Sequence, residues 1–178
     1  MNYLRVVFMV IAIVSWLSPT PSFATEKFAP ETIIKLTNAH RLSLDLEPLQ
    51  ENQQLIDAAQ LRVEDMIGNG YFAHMNPETG EGPKEALEET GYRVHVFAEN
   101  IAKGNWKNNE ELVQGWLDSP EHRENIELAE MQEIGVAIVR GDDSNSGLAV
   151  YYGVQLFGSQ LPKHSEIIDH EVHPAGAY

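Results

Sequence analysis

Apolar positions recur at helical spacing through the first half of the chain and alternate in strand fashion toward its end. Ile33, Ile34, Leu36 and Ala39 form one face of a helix that Pro30 opens at N1 and that runs to about Arg41. Leu46, Pro48 and Leu49 read as a packed connection. Leu55, Ala58, Ala59, Val63, Met66 and Ile67 mark a second helix, from an Asn52 cap to Ile67, which Gly68 and Gly70 end. Residues 71–77 follow neither period, and Pro83 starts a short helix that Gly91 stops. From Tyr92 to Ala102, Val94, Val96 and Ala98 alternate with Arg93, His95, Phe97 and Glu99, which predicts a strand. Asn108 or Asn109 caps a helix through Trp116 to Asp118, with glutamates in its first turn. Ser119 as N-cap and Pro120 at N1 begin another. Ile134–Val139 and Leu148–Phe157 are strands joined by a hairpin loop over 141–147. Helices first and antiparallel strands last predict an α+β domain with helices packed on an antiparallel sheet.

The leading segment fits neither pattern. A single charged residue, Arg5, precedes an apolar run from Val6 to Leu17; Pro19 and Pro21 follow, then Ser22-Phe23-Ala24. This is the three-part form of a secretory signal peptide, residues 1–24. Its apolar run is short of the roughly 20 residues that span a bilayer; an uncleaved N-terminal anchor is the competing reading. Cleavage after Ala24 leaves 154 of the 178 residues and takes the formal charge from −15 to −16. The expected organisation is a domain over 25–158 and an acidic, histidine-containing tail over 159–178, read as mobile.

Charge and composition narrow the function. With 27 acidic and 12 basic side chains the chain lacks the basic footprint of a nucleic-acid binder, and docking on anionic lipid is disfavoured. The absence of cysteine excludes disulfides, thiolate metal sites, a cysteine nucleophile and a lipid-modified N-terminus. A cysteine-free exported chain fits a bacterial periplasm or exterior. A monomer with no stable membrane insertion is expected.

Three segments set polar groups beside apolar ones: Phe72–Pro77, Ala98–Ile101 and Trp116–Ile126. If they converge, His74, Glu99 and His122 make a set of two imidazoles and one carboxylate. Such a set can hold zinc with a position left for water, or can form a metal-free hydrogen-bonded network. His122 falls in the first turn of the helix begun by Pro120, where the helix dipole disfavours a protonated ring and so favours the neutral form that metal binding requires. Local packing is the alternative for His122, a simple loop position for His74, and a structural ion pair for Glu99. Asn100 reads as a buried amide holding neighbouring backbone groups. Trp106 and Trp116 read as packing aromatics, His40 and His95 as solvent-facing, and Tyr151 and Tyr152 as pointing to opposite faces of the last strand. Three histidines, His164, His170 and His173, lie among carboxylates in the tail; they could chelate a divalent metal or belong to a solvated acidic tail.

The ordered series of motifs resembles the CAP domain, or SCP-like extracellular domain, in its bacterial secreted branch. The resemblance runs from about Ile33 to Gly158. It takes in Asn38-x-x-Arg41, Leu46-x-Pro48-Leu49, Leu55-x-x-Ala58-Ala59, Tyr71-Phe72-x-His74-x-x-Pro77 and Gly91-Tyr92. It continues through Glu99-Asn100-Ile101, Trp116-x-x-Ser119-Pro120-x-His122-Arg123-x-Asn125-Ile126, Ile134-Gly135-Val136 and Gln155-x-Phe157-Gly158. The resemblance implies an α–β–α sandwich with a central antiparallel sheet, and a surface cavity lined by His74, Glu99 and His122. It also implies that some relatives hold a divalent metal, usually zinc, between the two histidines. Many eukaryotic relatives carry a further Glu shortly after the motif Trp; here Trp116-Leu117-Asp118-Ser119 has none, so Asp118, Glu121 or Glu124 would substitute only if the fold turned one inward.

No nucleophile or oxyanion motif accompanies the set. The expected function is a secreted, non-enzymatic domain that binds a divalent cation such as Zn2+, or a small or extended ligand (a lipid, a peptide or a cell-wall fragment). The alternative is a metal-dependent extracellular hydrolase of peptidase type, with Glu99 as its general base.

Overall fold

The computed structural model describes residues 27–161; the segment 1–24 and the tail histidines His164, His170 and His173 lie outside the described residues. The elements are α1 (Pro30–Leu42), β1 (Gln50–Glu51), α2 (Gln53–Gly68), α3 (Pro83–Glu89), β2 (Val94–Gly104), α4 (Asn109–Asp118), α5 (Pro120–Glu127), β3 (Glu133–Asp142) and β4 (Ala149–Gln160). Pro30 opens α1 as expected. Asn52 Oδ1 accepts from the Gln54 and Leu55 amides to start α2, and Asn108 Oδ1 does the same for Glu111 at α4. Ser119 occupies the cap position of α5 without a side-chain cap bond.

The sheet runs β1-β3-β4-β2, with β2 at one edge. β2 and β3 both pair antiparallel with β4, while the two-residue β1 adds a parallel rung on β3 that the hydrophobic pattern does not announce. β4 reaches two residues past the expected domain boundary at 158. Ser159 is buried and pairs with Val96, and Gln160 pairs with Val94. The register slips between Val94 and Val96, so His95 is the bulged residue of β2, and it is exposed.

Both faces of the sheet are covered. Leu55, Ala59, Val63 and Met66 of α2 and Leu87 of α3 pack on Tyr152, Val154 and Leu156 of β4. On the opposite face, Ile33 of α1, Leu112 and Trp116 of α4 and Ile126 of α5 pack with Ile134, Val136 and Phe157. Alternate residues of β4 therefore go to opposite cores, and Tyr151 and Tyr152 separate as read. The α2 layer lies so close to β3 that a Cβ on Gly135 would sit 2.1 Å from the Leu55 carbonyl carbon. Glycine is required there by space, not by backbone angle. Among the described residues no helix is long and apolar enough to cross a membrane.

Candidate functional site

The edge strand β2 organises the site because its consecutive residues face opposite layers. Glu99 shares a face with Ile101 and meets α2; Asn100 faces Gln155 and α5. The loop after α2 brings His74 to Glu99, and His74 Nδ1 lies 2.6 Å from Glu99 Oε2. The other carboxylate oxygen, Oε1, accepts from Arg62 Nε at 2.9 Å. The Glu99 side chain is 2% exposed and that of His74 55% exposed, so a buried carboxylate backs an accessible ring. With Nδ1 on Glu99, Nε2 is the ring nitrogen of His74 left to meet another partner.

The loop carrying His74 is held at several points. Asn76 Oδ1 accepts from the Glu78 and Thr79 amides, and its Nδ2 donates to Asp65 Oδ1 at 3.1 Å. Tyr71 donates its hydroxyl proton to Asp65 Oδ2 and accepts from Arg62 Nη1 at 3.0 Å. Burial, reinforced by that carboxylate, pushes the Tyr71 hydroxyl up to about 12. A Cβ on Gly82 would come within 2.8 Å of the His74 carbonyl oxygen, so the start of α3 also depends on a missing side chain.

His122 arrives from the other layer. Asn100 Nδ2 donates to the His122 carbonyl at 3.0 Å and to Gln155 Oε1 at 3.2 Å. Asn125 Nδ2 donates to Asn100 Oδ1 at 2.9 Å and to the Glu99 carbonyl at 3.3 Å. Gln155 Nε2 donates to Thr37 Oγ1 at 2.9 Å, which ties α1 into the same network. No buried side-chain nitrogen or oxygen among the described residues lacks a partner. Asn100 is thus the buried amide the sequence suggests, and it fixes α5 against β2. The first turn of α5 sets His122 in a half-buried position.

The two imidazoles are pushed apart in basicity. The hydrogen bond to Glu99 raises the His74 pKa above the usual histidine value. Burial lowers that of His122, and the neighbouring charge of His74 lowers it further. Asn100, next to Glu99 on β2, holds the His122 carbonyl, so the segment carrying His122 lies against the same strand that carries the partner of His74. Glu99 enters as the partner of His74 and Arg62, with both oxygens engaged, rather than as a third open donor. Among the described residues no group of three or more histidines and carboxylates is arranged to hold a metal ion. Imidazole nitrogens, with water or a ligand in the remaining positions, are a donor set that zinc accepts in general.

None of the proposed substitutes for a second glutamate turns inward: Asp118 accepts from Gln114, and Glu121 and Glu124 are exposed. His40, expected in solvent, is half-buried, its Nε2 2.8 Å from Glu127 Oε1, because α1 packs against α5. Sequence reasoning passes over Arg62 as a site residue. A signal for it exists: a charged side chain on the same helical stripe as Leu55, Ala59 and Met66 must find a buried acceptor.

A four-stranded sheet between two helical layers is the architecture of CAP-fold proteins. Residues 34–157 match the model of the Cysteine-rich secretory protein family, CAP, and the chain belongs to that family, although it contains no cysteine. It is similar to YkwD of Bacillus subtilis, with 37% identity over 107 residues, covering 60% of this chain and 41% of that protein. The membrane protein YlbC of the same organism is 33% identical over 108 residues, covering 61% of this chain and 31% of that one. This chain therefore spans less than half the length of these relatives. Among solved structures, an extracellular SCP-domain protein of Bacillus anthracis superposes with a TM-score of 0.62 at 28% identity, over 74% of this chain and 40% of that one. An outer surface protein of Borrelia burgdorferi shares the fold, with a TM-score of 0.62 at 21% identity over 74% of this chain and 92% of that one.

Proposed function

We propose that this chain is an exported, non-enzymatic CAP domain that holds a divalent cation between His74 and His122. That cation, or the cleft around it, would receive a small or extended extracellular ligand: a lipid, a peptide or a cell-wall fragment. The observation that carries the reading is the division of labour in the Glu99 carboxylate. Oε2 takes His74 Nδ1 and Oε1 takes Arg62, which leaves His74 Nε2 as a pre-oriented donor. Export is supported by the signal-like segment 1–24 and by the extracellular and outer-surface character of the structural neighbours. The hydrolase alternative needs a carboxylate free to take a proton from water, and Glu99 is buried with both oxygens engaged.

Zinc calorimetry on the full mature chain tests the reading. The parent for this experiment carries His164, His170 and His173 replaced by Gln, so that the tail cannot report in place of the site. His74→Ala and His122→Ala are each expected to weaken zinc binding at least tenfold. Equal affinity in the parent and both variants would refute the reading.

A further inference from the structure

We propose that Arg62 is the positioning residue for the His74 half of this site, joining the buried carboxylate and the His74 backbone into one rigid unit. The inference rests on the cation-binding reading above. Nε of Arg62 donates to Glu99 Oε1 at 2.9 Å. Nη1 donates to the Tyr71 hydroxyl at 3.0 Å and to Asp65 Oδ2 at 3.4 Å. Nη2 donates to the carbonyls of Ala73 at 3.1 Å and His74 at 2.8 Å. A guanidinium carries five N–H donors in one plane, and here they reach five acceptors on α2, β2 and the site loop.

Two consequences follow from that geometry. His74 is held from both ends: its carbonyl is gripped by Nη2, and its ring is gripped through Glu99 by Nε. The ring therefore has one tautomer and one orientation, with Nδ1 protonated toward the carboxylate and Nε2 left as the donor. Second, Arg62 withdraws Glu99 Oε1 from the pool of possible ligands. The site then offers imidazole nitrogen alone, which suits zinc or nickel better than calcium or magnesium. A buried ion pair made only for stability could give way to apolar residues at little cost. This one keeps its second carboxylate oxygen for a half-exposed imidazole, which points to a role in the site. Lysine cannot reproduce it, because three donors on a single nitrogen do not span the carboxylate and both loop carbonyls.

The test uses the full mature chain with the tail histidines replaced by Gln, comparing Arg62 with Arg62→Lys. The first readout is the 15N side-chain NMR signature of His74 in metal-free protein above its pKa; the second is zinc affinity by calorimetry. The expected result for folded Arg62→Lys is averaging of the two His74 tautomers, with His122 signals retained, and zinc binding weakened roughly 10- to 100-fold. An unchanged His74 signature with zinc affinity within twofold of the parent would overturn the proposal. Should Arg62→Lys fail to fold, Arg62→Gln, which leaves the Glu99 carboxylate in place for His74 Nδ1, is read by the same criteria. A parent that binds no zinc would refute the cation reading alone, and the metal-free tautomer signature would still decide the role of Arg62.

Discussion

Replacing Arg41 with methionine is expected to cost a large share of the domain's stability. Arg41 is fully buried on α1. Nε donates to the Glu47 carbonyl at 2.9 Å, Nη1 to the Ile126 and Leu128 carbonyls at 2.7 and 2.9 Å, and Nη2 to the Met131 carbonyl at 3.3 Å. Its charge faces the carbonyl end of α5, where a cation complements the helix dipole. Methionine keeps the packing of the stem and strips four buried carbonyls of a charged donor. Hydrogen bonds to charged groups are worth about 1.5–3 kcal/mol each, so the gross loss is large. Relief from burying an unpaired cation offsets several kcal/mol of it, and burial does lower the Arg41 pKa. The net cost should be about 3–5 kcal/mol, as found when one side of a buried charged network is removed. Urea unfolding measures it as a fall in midpoint at constant slope. Arg41→Lys should recover part of the loss, because three donors can serve some of the four carbonyls. A loss below about 1 kcal/mol for Arg41→Met would refute the assignment of these carbonyls to one guanidinium, given that buried hydrogen-bonding groups cannot be orphaned cheaply.

Gly135→Ala should destabilise the domain by about 3 kcal/mol or more, since the new methyl would overlap the α2 backbone at Leu55, and thermal unfolding would show it. Asn100→Ala should cost about 2 kcal/mol and lower zinc affinity through a loosened His122, measured by urea titration and calorimetry. In an NMR pH titration, His74 should have the higher midpoint and His122 the lower. The stability terms then oppose each other. That of His74 is complete below about 6.5, the unfolded histidine value, and fades as pH rises through its raised folded midpoint. That of His122 is present above about 6.5 and fades as pH falls through its lowered folded midpoint. A His122 midpoint above that of His74 would refute the pairing of His74 with Glu99.

Helices with a clear apolar stripe and an explicit cap, such as α2 behind Asn52, are legible because local spacing and burial agree. β1 is not, because two residues carry no period and exist as a strand only through pairing with β3. β2 reads as a one-sided alternation, yet both of its faces are covered and the bulge at His95 reverses which residues face which layer. The candidate site is legible as residue types: the fold places His74 on Glu99 and seats the His122 backbone on the neighbouring Asn100. The division of the carboxylate between Arg62 and His74 is a tertiary fact. It depends on α2 passing beside β2 at that height, and spacing along the chain does not encode it. His40 shows the same limit: its side of α1 looks solvent-facing until α5 is laid against it.

The most direct measurement is an anomalous difference map at the zinc edge from crystals of the full mature chain grown with zinc. The expected result is a peak about 2.0–2.1 Å from His74 Nε2 and from one ring nitrogen of His122, with His74 Nδ1 still on Glu99. Zinc bound elsewhere while both imidazoles stay unengaged would contradict the assignment of His74 and His122 as a cation site.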